Sequence, residues 1–141
     1  MKKYTDDIII AKIERVLKAE PAVAAAYIFG SFGTDRFNSD SDIDIGVLYA
    51  KMPGKTFDKA YFELKGKLEE AVGNEVDLVI LNSSSPILCM QVLKHGRKIF
   101  EKDTRTANEF FVRTVGSYAD LKKVRSPIEQ RVLEGKLYDR S

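Results

Sequence analysis

The stretch Phe29-Gly30-Ser31-Phe32-Gly33-Thr34-Asp35-Arg36-Phe37-Asn38-Ser39-Asp40-Ser41-Asp42-Ile43-Asp44-Ile45 joins two strand-like patterns through a polar segment. Before it, residues 23 to 29 (Val-Ala-Ala-Ala-Tyr-Ile-Phe) form an almost continuous apolar run, too short for a buried helix. That run predicts a buried strand ending in a tight turn at Gly30-Ser31. After the turn, residues 41 to 49 alternate: Ile43, Ile45 and Val47 face one way while Asp42, Asp44 and Gly46 face the other. This is the period of a strand with one core face.

Two carboxylates separated by one strand residue point to the same side, where a shared pair of divalent cations can bridge them. Like charges so close repel unless cations neutralise them, and two metals about 3.5–4 Å apart form the usual clamp for in-line displacement at phosphorus. Asp77 lies in the next strand pattern, Val76-Asp77-Leu78-Val79-Ile80. An ionisable group inside an apolar strand is costly unless paired or metal-bound, so Asp77 is expected to be a third ligand. Gly30-Ser31 offers backbone N–H groups and a hydroxyl without bulk at the glycine, which suits phosphate oxygens at a helix start. Arg36, in the loop between the two halves, is expected either to reach phosphate oxygens or to stand solvated. Asp40-Ser41-Asp42 is also an Asp-x-Asp pair, but Asp42 and Asp44 are preferred because Ile43 and Ile45 anchor their strand.

Outward from this segment, Ile9, Ile13, Val16 and Leu17 mark an amphipathic helix after Thr5 as its cap, stopped at Pro21. Phe57, Ala60, Tyr61, Leu64, Leu68, Ala71 and Val72 mark a second helix, capped by Thr56 and closed by Gly73-Asn74. Glu75 to Leu81 reads as a strand, Ser83-Ser84-Ser85-Pro86 as a helix start, and Lys98 to Glu101 as a short fourth strand after Gly96. Further on, Ala107, Phe111, Val115 and Tyr118 keep a helical period. Ser126-Pro127-Ile128-Glu129 has the spacing of a new helix start, so two terminal helices are expected. The order is α, β, β, α, β, α, β and then helix. An α/β (α+β) fold follows, with a small mixed sheet flanked by helices. Residues 1–141 are expected to form a single domain, with a core at about 5–102 and a helical tail at about 104–141.

Composition narrows the function classes. Lys and Arg number 23 against 21 Asp and Glu, a net charge of +2 that argues against binding nucleic acid by bulk positive charge. Residues 105 to 141 carry 8 basic and 5 acidic side chains, against 15 and 16 before them, so the excess belongs to the tail. Cys89 is the only cysteine and His95 the only histidine, which excludes an internal disulfide and clusters of Cys or His around a metal. Cys89 is expected in the core, and His95 as a polar residue near the helix end at Gly96. No apolar stretch has the length of a membrane span or a signal-peptide core, so a soluble cytoplasmic protein is expected.

Two other motifs fail on inspection. As an EF-hand starting at Asn38 or Asp40, the required glycine would be Ile43 or Ile45, and the closing glutamate Tyr49 or Lys51. Gly54-Lys55-Thr56 mimics the end of a P-loop, but its first glycine would have to be Tyr49.

A hydrophobic strand, Gly30-Ser31, ten intervening residues, Asp42-Ile43-Asp44-Ile45 and a later Asp77 together resemble the DNA polymerase β-like nucleotidyltransferase superfamily. The small size is similar to its minimal nucleotidyltransferases, the antitoxins of HEPN/minimal-nucleotidyltransferase pairs. The resemblance covers residues 5 to 102, and its specific part lies in 27 to 48 and 75 to 81. It implies that Gly30 and Ser31 hold the triphosphate of ATP and that Asp42 and Asp44 ligate two magnesium ions. Asp77 would ligate one ion and help to deprotonate the attacking hydroxyl. It implies further that the acceptor is a tyrosine of a cognate HEPN ribonuclease toxin, silenced by AMP. Neutralisation of that partner by occlusion alone, or transfer to a small molecule, are the alternative readings. No membrane and no direct nucleic-acid partner are expected.

Overall fold

A computed structural model describes the backbone of residues 2–32 and 41–133, with side chains over 6–32 and 41–123. The elements are α1 (Lys2–Lys18), β1 (Val23–Phe29), β2 (Ile43–Tyr49), α2 (Phe57–Val72), β3 (Val76–Ile80), α3 (Pro86–His95), β4 (Arg97–Glu101) and α4 (Thr104–Leu133). The strands form one mixed sheet in the order β3-β2-β1-β4. β1 is antiparallel to both β2 and β4, while β2 and β3 are parallel.

Alternation in the strands sorts the side chains into two cores. Ala26, Ile28, Ile43, Ile45, Val47, Val76, Leu78 and Ile80 pack with Ile9, Ile10, Ile13 and Leu17 of α1 and Leu64, Leu68 and Val72 of α2. On the opposite face, Ala25, Tyr27 and Leu48 pack with Leu81, Cys89 and Val92 and with Ala107 and Phe110 of α4. Burying an aliphatic or aromatic side chain in this way stabilises by about 1.5–3 kcal/mol each, and the two cores lock the sheet from both sides.

Several local expectations are revised. α1 begins at Lys2, so Thr5 lies inside it: the preceding Lys-Lys-Tyr contains no helix breaker. Thr56 occupies the N-cap of α2 but does not cap with its side chain. Its hydroxyl donates instead to the Pro53 carbonyl at 3.1 Å, because a short 3-10 turn (Gly54–Thr56) leads directly into the helix. Ser85 does cap α3, accepting from the Leu88 N–H, with Pro86 in the first turn.

β2 has one open face only at its start. From Gly46 on it is covered on both sides: a Cβ at Gly46 would stand 3.2 Å from the Leu81 side chain, and Leu48 is fully buried. Two terminal helices are replaced by one, because α4 runs continuously from Thr104 through Pro127 to Leu133. A proline removes a single intrahelical donor, and the helix-forming residues before it carry the helix across the position.

α4 also turns a different face to the core than its Ala107-Phe111-Val115-Tyr118 stripe predicts. Ala107, Phe110 and Thr114 are buried, while Phe111 is 53 % and Val112 69 % exposed. The ring of Phe110 lies 6.0 Å from that of Tyr27 on β1. The two neighbouring phenylalanines therefore give a direct check of helix rotation. Phe110→Ala is expected to destabilise by about 3–5 kcal/mol in urea unfolding, whereas Phe111→Ala should cost less than about 0.5 kcal/mol. Equal costs would mean that the helix face is assigned wrongly.

Candidate functional site

The site follows from strand register. β2 and β3 run parallel with Asp44 directly opposite Asp77 and Ile45 opposite Leu78. Since Ile43, Ile45, Val76 and Leu78 point into the core beneath α1 and α2, Asp44 and Asp77 stand on the other sheet face. Burial, side-chain hydrogen bonding with Asp77, and the nearby charges of Asp77 and Asp42 push the Asp44 carboxyl up to about 6.

Asp42 lies one residue before β2 rather than on it, and it is exposed. It remains close enough for its charge to act on Asp44. Asp77, expected in a buried setting, is exposed, because β3 is an edge strand and the α3–α4 layer does not cover its start. Among the described residues, no three His, Cys, Asp or Glu side chains close on one point. Two carboxylates stand side by side on neighbouring strands and the third lies exposed at the rim.

Gly30 completes the corner. Its φ of 72° is left-handed, and a Cβ there would collide with the Asp44 carboxylate. Phe29 is the strand partner of Asp44, so the turn holding Gly30 and half-buried Ser31 abuts the carboxylate pair. Arg36 and Asp40 lie outside the described residues. His95 is exposed at the end of α3, and Cys89 is buried with its thiol directed at the Leu81 carbonyl at 3.5 Å.

Some positioning residues escaped the sequence reading. The Asn74 amide donates to the Ser41 carbonyl at 3.3 Å, and the Ile43 N–H donates to the Glu75 carbonyl at 2.9 Å, which together fix the backbone around Asp42. Glu69 accepts from the Val76 N–H at 3.0 Å, and the Tyr61 hydroxyl donates to the Leu78 carbonyl at 2.8 Å, so the backbone on both sides of Asp77 is held from α2. Asn74 read only as a helix stop, and Glu69 and Tyr61 only as helix residues. Nothing in a one-dimensional pattern marks a side chain that reaches a strand edge.

The donor set is all oxygen, which suits a hard divalent cation such as magnesium. Asp44 and Asp77 set two carboxylates side by side, where burial and mutual repulsion disfavour charge on Asp44, so the residues fit such an ion. The site thus sets a glycine-serine turn against an Asp-x-Asp strand start and a further aspartate on the neighbouring strand of a mixed sheet. Residues 11–105 match the polymerase β nucleotidyltransferase family, and the chain belongs to it. It is 37% identical over 125 residues to the protein adenylyltransferase MntA of Shewanella oneidensis, covering 86% of each chain. Two solved structures are similar. One is a toxin–antitoxin with AMP-PNP, at 34% identity and a TM-score of 0.72, covering 88% of this chain and 98% of that one. The other is an MNT antitoxin in complex with a tri-AMPylated Shewanella oneidensis HEPN toxin, at 32% identity and a TM-score of 0.68, covering 94% and 99%.

Proposed function

We propose that this chain is a protein adenylyltransferase that moves AMP from ATP onto a tyrosine hydroxyl of a cognate HEPN ribonuclease toxin and so acts as its antitoxin. The observation that carries the reading is the Asp44–Asp77 pair set against the Gly30 turn, on a chain similar over most of its length to an MntA adenylyltransferase. The AMP-PNP and tri-AMPylated complexes of similar proteins support the nucleotide and the acceptor.

In this reading Asp42, Asp44 and Asp77 hold two magnesium ions, which when bound neutralise charge on the attacking and leaving oxygens. Asp77, exposed on the edge strand, takes up the proton of the acceptor hydroxyl as its oxygen attacks the α-phosphorus, and the bond from that phosphorus to the β-phosphate's bridging oxygen breaks to release pyrophosphate. Gly30 lets the backbone approach the phosphates closely and Ser31 donates to them, with Arg36, outside the described residues, as the sequence's candidate for a further phosphate contact. The whole chain works as one unit, the core at about 5–102 performing transfer and the helical tail at about 104–141 meeting the partner. No described helix is long and apolar enough to cross a membrane, and the reading places the protein in the cytoplasm with ATP.

The test combines the purified chain, α-labelled ATP, magnesium and the product of the adjacent reading frame. Label should move to the partner with the wild type and fail to move with Asp42→Ala/Asp44→Ala. If both forms neutralise the partner equally and neither labels it, occlusion replaces catalysis as the function. Label on a small molecule alone would redirect the assignment to a different acceptor.

A further inference from the structure

A cavity of about 70 Å³ opens where α3 and α4 meet the turn after β3, several times the roughly 10–15 Å³ that one water needs. None of Gly30, Ser31, Asp42, Asp44 and Asp77 lines it. It sits instead toward the far end of β2. Asn82, on its wall, accepts from the Tyr49 N–H at 2.8 Å and donates to the Tyr49 carbonyl at 2.9 Å. Tyr49 ends that strand five residues beyond Asp44, about 16 Å away by strand rise.

The lining is chemically one-sided. Arg113 of α4 brings a guanidinium that makes no ion pair among the described residues. Its charge reaches the Cys89 thiol on the same wall. Beside it, Thr114 is only 4 % exposed, and its hydroxyl has no hydrogen-bond partner among the described residues. No described side-chain polar atom is sealed from solvent without a partner, so that hydroxyl opens onto the cavity it lines. Half-buried Ser117 adds a second hydroxyl further along α4. Pro86 brings in the first turn of α3, the positive end of the helix dipole. Among the described residues no Asp or Glu lines the cavity.

From the unpaired Arg113 and the open, unpartnered Thr114 hydroxyl in one carboxylate-free cavity, we infer that the α3–α4 cleft is a binding site for a phosphate group, separate from the nucleotide site. A tetrahedral oxyanion takes charge from Arg113 and hydrogen bonds from Thr114 and Ser117, which answers every group the fold leaves open there. Arg113, Thr114 and Ser117 come from α4, whereas Pro86 and Cys89 come from α3. An anion held between them therefore ties the two helices together.

Titration of inorganic phosphate into the nitrogen-15-labelled protein in EDTA, followed by amide NMR with sodium chloride at matched ionic strength as control, tests this. Saturable shifts are expected at Thr114, Ser117 and Cys89, with a Kd on the order of 1–10 mM. Arg113→Gln should weaken binding by at least about tenfold. Thr114→Val should weaken it by about fivefold and yet leave the urea midpoint of the phosphate-free protein unchanged, because the hydroxyl it removes has no partner in the fold. If circular dichroism shows Arg113→Gln misfolded, Ser117→Ala takes its place, with an expected loss of about threefold. Glycerol 3-phosphate run in parallel separates two sources of the same chemistry. An ester bound at least as tightly as phosphate marks a phosphoryl group on a larger molecule, and a weaker one marks the free ion. The inference is overturned by an absence of saturable shifts, by shifts that chloride reproduces, or by shifts confined to Gly30 and Ser31. Undiminished binding in Arg113→Gln overturns it too, as does a Thr114→Val variant that binds phosphate like the wild type. None of these results touches the nucleotidyl-transfer reading, which the labelled-ATP assay tests by itself.

Discussion

Asp44→Asn is expected to lower AMP transfer by at least about a thousandfold, roughly 4 kcal/mol of transition-state stabilisation, and yet to raise the melting temperature of the metal-free protein. The two effects share one origin. In the folded chain the Asp44 carboxyl, ordinarily near 3.8, is pushed up to about 6 by burial and by its bond to Asp77. Between those values the folded protein keeps a proton that the unfolded chain has released. Stability therefore falls as pH rises through that window, and the loss is complete above it. Asparagine has the same shape and can donate to Asp77 without carrying charge, so the variant escapes that loss. In EDTA at pH 7.5 its melting temperature should exceed wild type by about 2–4 °C, and near pH 4 the difference should vanish. Magnesium should narrow the gap at pH 7.5 by stabilising only the wild type. An asparagine variant that melts lower than wild type at pH 7.5 without metal would show that the pair is not strained by its own charge.

How far the sequence carried depended on whether a feature is local. The alternation around Ile43-Asp44-Ile45 and the apolar run Val23–Phe29 are one-dimensional signals, and both strands and the turn at Gly30 that ends the first were legible. So was the helix start at Ser85-Pro86, because a cap and a first-turn proline are adjacent in the chain. The alignment of Asp44 with Asp77 was only implied: it depends on β2 and β3 pairing in parallel, and 32 residues separate the two aspartates. The same gap in information explains Asp77. An apolar strand reads as buried on both faces, but edge position is a property of strand order, and order is set by how α2 and α3 cross over. On α4, Phe110 and Phe111 are equally apolar and only packing against Tyr27 chooses between them. Ser126-Pro127 failed for a different reason: one dipeptide can begin a helix or ride inside one, and the preceding residues decide.

Gly30→Ala is expected to disable the site without touching any carboxylate, lowering kcat/KM by about a hundredfold. Two costs act together. An L-residue at the φ of 72° pays about 1–2 kcal/mol of backbone strain. The added methyl also falls on the Asp44 carboxylate, standing 2.9 Å from Asp44 Cγ, so either the turn or the aspartate must move. Moving the aspartate breaks its alignment with Asp77; moving the turn withdraws Ser31 and its neighbouring N–H groups from the phosphates. The two costs separate in a double-mutant cycle. With Asp44→Ala in the background the collision is relieved and only the backbone strain remains. Gly30→Ala should then destabilise by about 1 kcal/mol less than it does in the wild-type chain. Additive costs in urea unfolding would mean that the methyl never meets Asp44, and that Gly30 is there for the turn alone rather than for the close approach of turn and carboxylate on which the proposed transfer depends.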